Sequence, residues 1–127
     1  MSVFAVYVLC TGLLVTLLAL NVSRMRIRLR IANGDGGNVL MKSAIRAHAN
    51  AVEHVTIQGL IVLALELRQI TALPLAVVAG GFCIARLLHA WGMLGHAFQL
   101  RRIGAGGTYL AELGGLLLLG LQLSGAI

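Results

Sequence analysis

Acidic side chains are nearly missing from this chain. Asp35, Glu53, Glu66 and Glu112 stand against ten lysines and arginines, which leaves a formal charge of +6. Charged residues fill only 11% of the positions, and mean hydropathy is +0.94. So little charge excludes an ordinary soluble domain, which needs about a quarter of its residues charged. A basic balance can signal nucleic acid, but aromatics are only 5% here and the cations sit between long apolar runs. That pattern excludes a nucleic-acid surface and fits basic loops between membrane spans. Cysteine occurs twice, at Cys10 and Cys83, inside apolar segments and without CxxC or Cys/His metal spacing. Both read as small buried hydrophobes, with no metal implied. The first apolar run lacks a basic flank before it and a small-residue cleavage site, so it reads as a retained helix rather than a secretion signal.

What is present is a set of apolar runs separated by polar punctuation. Val3 to Leu20 carries no charge and approaches the roughly 20 residues that span hydrocarbon. Arg24, Arg26, Arg28 and Arg30 then alternate with Met25, Ile27, Leu29 and Ile31. An unpaired strand beside a membrane has no partner, so this stretch is expected as an interfacial segment with its arginines toward headgroups or solvent. Asn33-Gly-Asp-Gly-Gly-Asn38 is a turn. Four helices are expected, over residues 3–20, 39–67, 75–96 and 108–126, in a single all-α membrane domain. Pro74 suits the first turn of the third helix, and residues 95–107 read as a glycine-rich basic loop. The connections holding Arg24 to Lys42 and Arg101–Arg102 are the basic ones, so the positive-inside rule expects them in the cytoplasm and both termini outside.

The second helix opens with Arg46-Ala-His-Ala-Asn-Ala-Val-Glu-His54. At roughly 100° per residue Arg46, Asn50 and Glu53 fall on one stripe, with His54 beside it. Counting about 1.5 Å per residue from the shared outer connection puts Glu53 and Arg86 at similar depth, roughly 21 and 22 Å in. An ion pair between them is therefore expected, with His89 near the level of Asn50. Arg46, His54, Tyr109, Arg101 and Arg102 crowd the same level. The cluster is mostly cationic, and a small anionic ligand bearing carboxylates or a thiolate would balance it. Glu112 is expected to partner a loop arginine. No pair of histidines is placed for a metal or haem at mid-membrane.

Arg46-Ala-His-x-Asn50-x-x-Glu53 after a basic first loop resembles the signature of the MAPEG family, the membrane-associated proteins of eicosanoid and glutathione metabolism. Arg86-x-x-His89 and the Arg101–Tyr109 region resemble it too. The resemblance implies a left-handed four-helix bundle assembled as a homotrimer, with glutathione as co-substrate between neighbouring subunits near the cytoplasmic face. By the same resemblance Arg46, Asn50 and Glu53 would hold the tripeptide, Glu53 at its amino group and the arginine at a carboxylate. His54 and His89 occupy positions often filled by tyrosine, or histidine at the latter. Arg24 or Arg26 would reach the ligand from the first helix, and Arg101 or Arg102 would stabilise the thiolate. Ala49 and Met93 depart from common members, and the arginine–serine pair of the prostaglandin enzymes is missing. These differences and the short third loop point to a bacterial inner-membrane branch, and to a general glutathione transferase or peroxidase acting on lipophilic electrophiles. A small four-helix transporter of cations is a rival reading, but it ordinarily needs a carboxylate in the first helix, which Val3 to Leu20 lacks. A scaffold without activity is another.

Overall fold

The computed structural model describes residues 2–127. Four helices account for nearly all of them: α1 (Val3–Leu29), α2 (Val39–Leu67), α3 (Ala72–Leu94) and α4 (Phe98–Leu123). All four are long and apolar enough to cross a membrane. Their short connections make neighbours in sequence antiparallel. Helices α2 and α3 pack together at the centre, with α1 and α4 each resting on both and not on each other.

Side-chain caps fix the starts of α1 and α2. Ser2 Oγ accepts from the Ala5 amide, and Asn38 Oδ1 accepts from the Met41 amide at 3.1 Å, satisfying amides that have no intrahelical acceptor. Asn38 thereby starts α2 at Val39, and the sequence boundaries of this helix hold. The end away from the basic connections is tied by side chains: Glu66 accepts from the Phe4 amide at 2.5 Å, and Gln122 donates to the Arg68 carbonyl at 2.8 Å.

Two expectations about the basic connections are corrected. First, α1 does not end near Leu20 but continues through the arginines to Leu29. Arginine, methionine and leucine are good helix formers, and Met25 is buried with Met41 and Ala44 while Val22, Leu29 and Ile31 pack around them. The chain leaves the helix at Arg30, which adopts a left-handed conformation with φ 56°. Second, the supposed loop over residues 95–107 is mostly helix, because α4 begins at Phe98 and only residues 95–97 connect it to α3. The glycines there serve packing, not chain breaking. A Cβ on Gly104 would overlap the His89 backbone, and one on Gly92 would overlap that of Arg101. Glycine at both positions lets α3 and α4 touch backbone to backbone, as small residues do where helices associate in lipid.

The interior has three apolar clusters along the bundle. Tyr7, Val62, Leu65, Leu75 and Phe82 fill the end away from the basic connections. Leu18 packs on Ala47, Ala51 and Ala90 at mid-length, and the methionine cluster closes the basic end. The alanines of α2 keep α1 close, so the polar residues between them turn to the opposite side. Outward positions such as Leu9, Leu13, Leu17, Leu110 and Leu117 are exposed and apolar, as a lipid-facing surface requires.

Candidate functional site

The first half of α2, the last turns of α3 and the first turns of α4 converge at the basic end around a cavity of about 530 Å³. Its walls carry Lys42, Ser43, Arg46 and Asn50 from α2, His89 and Met93 from α3, and Arg101, Arg102 and Ala105 from α4. Lys42, Arg46 and Asn50 repeat every four residues, which puts them on one face of α2. Arg101 and Arg102 enter because α4 starts at Phe98 rather than ten residues later; their guanidinium carbons lie 5.3 and 5.6 Å from the Phe98 ring centroid, within cation–π range. Four cations and no acid line the cavity. Among the described residues none of the four has a carboxylate partner, since the one ion pair lies elsewhere.

Beneath the cavity sits Arg86, only 1% exposed. Its Nη2 donates to Asn50 Oδ1 at 3.0 Å and to His89 Nδ1 at 3.3 Å, and its Nη1 donates to Thr108 Oγ1 at 3.4 Å. Thr108 in turn donates to the Gly104 carbonyl at 2.8 Å. The Arg86 Nε has no partner. The expected Glu53–Arg86 ion pair is absent among the described residues. Asn50, one turn before Glu53, points at Arg86 instead, while Glu53 turns outward and is exposed. Arg86 therefore acts through Asn50 and His89, the two neutral side chains it shares with the cavity wall. This buried guanidinium is thus held by neutral acceptors, with no carboxylate in contact among the described residues.

The other expected site residues divide clearly. Arg46, Asn50, His89, Arg101 and Arg102 are brought together at the cavity, and Arg86 underlies it. His54 and Tyr109 are not there. They lie on an outward face between α2 and α4, where His54 Nδ1 donates to Glu112 Oε1 at 2.8 Å. The Tyr109 ring meets that of His54 edge-on, with centroids 5.5 Å apart. Glu112 thus partners a histidine rather than the expected loop arginine. Arg24 and Arg26 also lie away from the cavity. Arg26 Nη1 donates to the carbonyls of Ile31, Ala32 and Gly34 and so holds the turn after α1; Arg24 donates to Asn21 Oδ1 at 3.0 Å. Sequence reasoning missed Lys42 and Thr108. Lys42 was legible as one turn before Arg46; Thr108 was hidden by the misplaced start of α4.

A family model matches residues 4–121 of the chain, and its description is the MAPEG family. The chain belongs to this family. Two curated relatives, both called inner membrane protein YecN, come from Escherichia coli K12 and Escherichia coli O6:H1. Each is 33% identical over 111 residues, covering 87% of this chain and 85% of the relative. No solved structure matches. Four apolar helices in a MAPEG chain make this an integral membrane protein, and the relatives' names place them in the inner membrane.

Proposed function

We propose that this MAPEG protein is a membrane-bound glutathione-dependent transferase, joining the glutathione thiolate to lipophilic electrophiles at a boundary between copies in a homotrimer. One observation carries the reading: a cavity with Lys42, Arg46, Arg101 and Arg102 on its walls, no acid among its lining residues, and the buried guanidinium of Arg86 beneath. Glutathione brings two carboxylates, one ammonium and a thiol, and is more anionic still as the thiolate. Its donor requirements suit this set, and about 530 Å³ lies within the roughly 300–1,000 Å³ of small-molecule sites.

In this proposal Arg46 and Lys42 hold carboxylate, and Asn50, fixed by Arg86, offers its amide to the peptide backbone. Arg101 and Arg102 stand at the sulfur and lower the thiol's pKa, so the thiolate is populated at neutral pH. The proton leaves through the open mouth. The sulfur then attacks the electrophilic carbon; the carbon–sulfur bond forms as the leaving group departs with its bonding pair. Glu53 explains why one copy is insufficient. A carboxylate exposed at this depth is costly in hydrocarbon, and a neighbouring copy would cover it while the ligand's ammonium neutralises it. The His54–Glu112 pair and Tyr109 lie on the neighbouring face, between α2 and α4. By the positive-inside rule this end faces the cytoplasm.

The test is conjugation of glutathione to an activated aryl chloride by the purified protein. Thioether formation above the uncatalysed rate is expected for the wild type, lost in the Arg101→Ala/Arg102→Ala double variant. Wild-type turnover equal to the background reaction would refute the activity.

A further inference from the structure

A second region of the basic end has a different character. Between α1 and α3 runs an open groove of about 660 Å³, lined by Leu14, Leu17, Leu18, Leu87, Leu88 and Trp91 among others, with Asn21 as its one polar side chain. α1 and α3 run in the same direction, so Asn21 and Leu94 mark the groove's basic end. Both residues also line a separate cavity of about 230 Å³, whose other walls include Arg24, Arg28, Ser43 and His96. An apolar trough open to the bilayer thus passes directly into a pocket with two arginines. Arg24 and Arg28 are four residues apart, on one helix face; both are exposed and neither has a carboxylate partner among the described residues. Neither lines the cavity assigned to glutathione.

We propose that this groove and pocket form a binding site for one anionic phospholipid. An acyl chain lies along the Leu14–Trp91 groove, and the phosphate sits on Arg24 and Arg28, with Asn21 and His96 at the glycerol level. The occupant follows from the order of chemistry along the bundle axis: apolar for several helical turns, then cationic, which matches a lipid's tail and charged head and no water-soluble anion. This site does not depend on the glutathione reading, and either can fail alone.

Trp91 is the single tryptophan of the chain and lies on the groove wall, so its fluorescence reports what occupies the groove. The full-length protein is reconstituted in phosphatidylcholine vesicles containing a minor fraction of phosphatidylglycerol brominated on its acyl chains, or the same fraction of brominated phosphatidylcholine. Two arginines near an anionic headgroup correspond to about a 30-fold preference at low salt. Trp91 is therefore expected to be quenched far more by the brominated phosphatidylglycerol. Arg24→Gln/Arg28→Gln is expected to bring that quenching down to the phosphatidylcholine level, and Arg30→Gln, at the same end on another face, to leave it unchanged. Unaltered helicity and Trp91 emission in plain phosphatidylcholine show that the variants are folded. Equal quenching by both lipids in the wild type would overturn the proposal, the groove being ordinary lipid boundary. Negligible quenching by either would overturn it too, since another copy or another molecule would then cover the groove. An equal loss in Arg30→Gln would reduce the preference to general surface charge.

Discussion

Replacing Asn50 by leucine removes the closest acceptor that the buried Arg86 possesses. The bond is 3.0 Å long, its donor carries a full charge, and Arg86 is 1% exposed. A hydrogen bond to a charged group contributes about 1.5–3 kcal/mol. The loss should fall in that range rather than at the 3–5 kcal/mol of an orphaned buried charge, because His89 and Thr108 still accept from the guanidinium. Arg86→Met, by contrast, removes the charge and leaves an apolar chain of similar length, an exchange that is often neutral or stabilising in a buried site. In the double variant the leucine meets no guanidinium, so most of the cost of Asn50→Leu should vanish. Equilibrium unfolding in detergent micelles, followed by loss of helicity as a denaturing detergent is added, gives the three differences and the coupling between them. The expected coupling is about 1.5–3 kcal/mol. Strictly additive effects would refute the reasoning, because Arg86 would then satisfy its charge without Asn50.

Other perturbations follow from the same geometry. Gly104→Ala forces a methyl group into the His89 backbone and should cost about 1–3 kcal/mol by overpacking, whereas Gly106→Ala, with nothing within 4 Å of the new carbon, should be neutral or slightly stabilising in the same unfolding assay. Glu112→Gln and His54→Ala each break one half-buried pair, so the double variant should unfold no more easily than the worse single variant; a sum of the two effects would deny the contact. Orientation is tested by single cysteines at Gly34 and Ser124 after Cys10 and Cys83 are replaced by alanine. A membrane-impermeant thiol reagent applied to spheroplasts should label the Ser124 position and spare Gly34 until the membrane is opened.

The sequence carried the bundle well, for reasons that differ by helix. α2 was placed to the residue because a turn-rich stretch and Asn38 start it and Glu66–Arg68 close its apolar run. α1 reads short because its charge-free run stops at Leu20 and the alternating arginines beyond it suggest an interfacial segment; the contact that continues the helix, Met25 buried against Met41 and Ala44, is not visible locally. α4 was started ten residues late, because Gly104, Gly106 and Gly107 look like loop punctuation unless the facing backbone of α3 is known. The site was legible in level but not in direction. Counting along the helices pairs Glu53 with Arg86 and Asn50 with His89, whereas Arg86 bonds both Asn50 and His89; which of Asn50 and Glu53 turns toward Arg86 depends on helix rotation, which the alanine contacts of α2 determine. Glu112 lies in the second half of α4, and nothing local to it names His54 as its partner.

The central claim is that the cationic cavity holds glutathione, and ligand-induced stabilisation measures that most directly. The detergent-solubilised protein is unfolded thermally with and without millimolar glutathione, alongside Arg46→Ala and Glu53→Gln. A ligand that binds only the folded state stabilises it by RT ln(1 + [L]/Kd), about 1.4 kcal/mol at tenfold excess over Kd. A rise in the wild-type unfolding temperature that is lost in Arg46→Ala and weakened in Glu53→Gln is the predicted result. The same unfolding temperature with and without glutathione in the wild type would contradict the account.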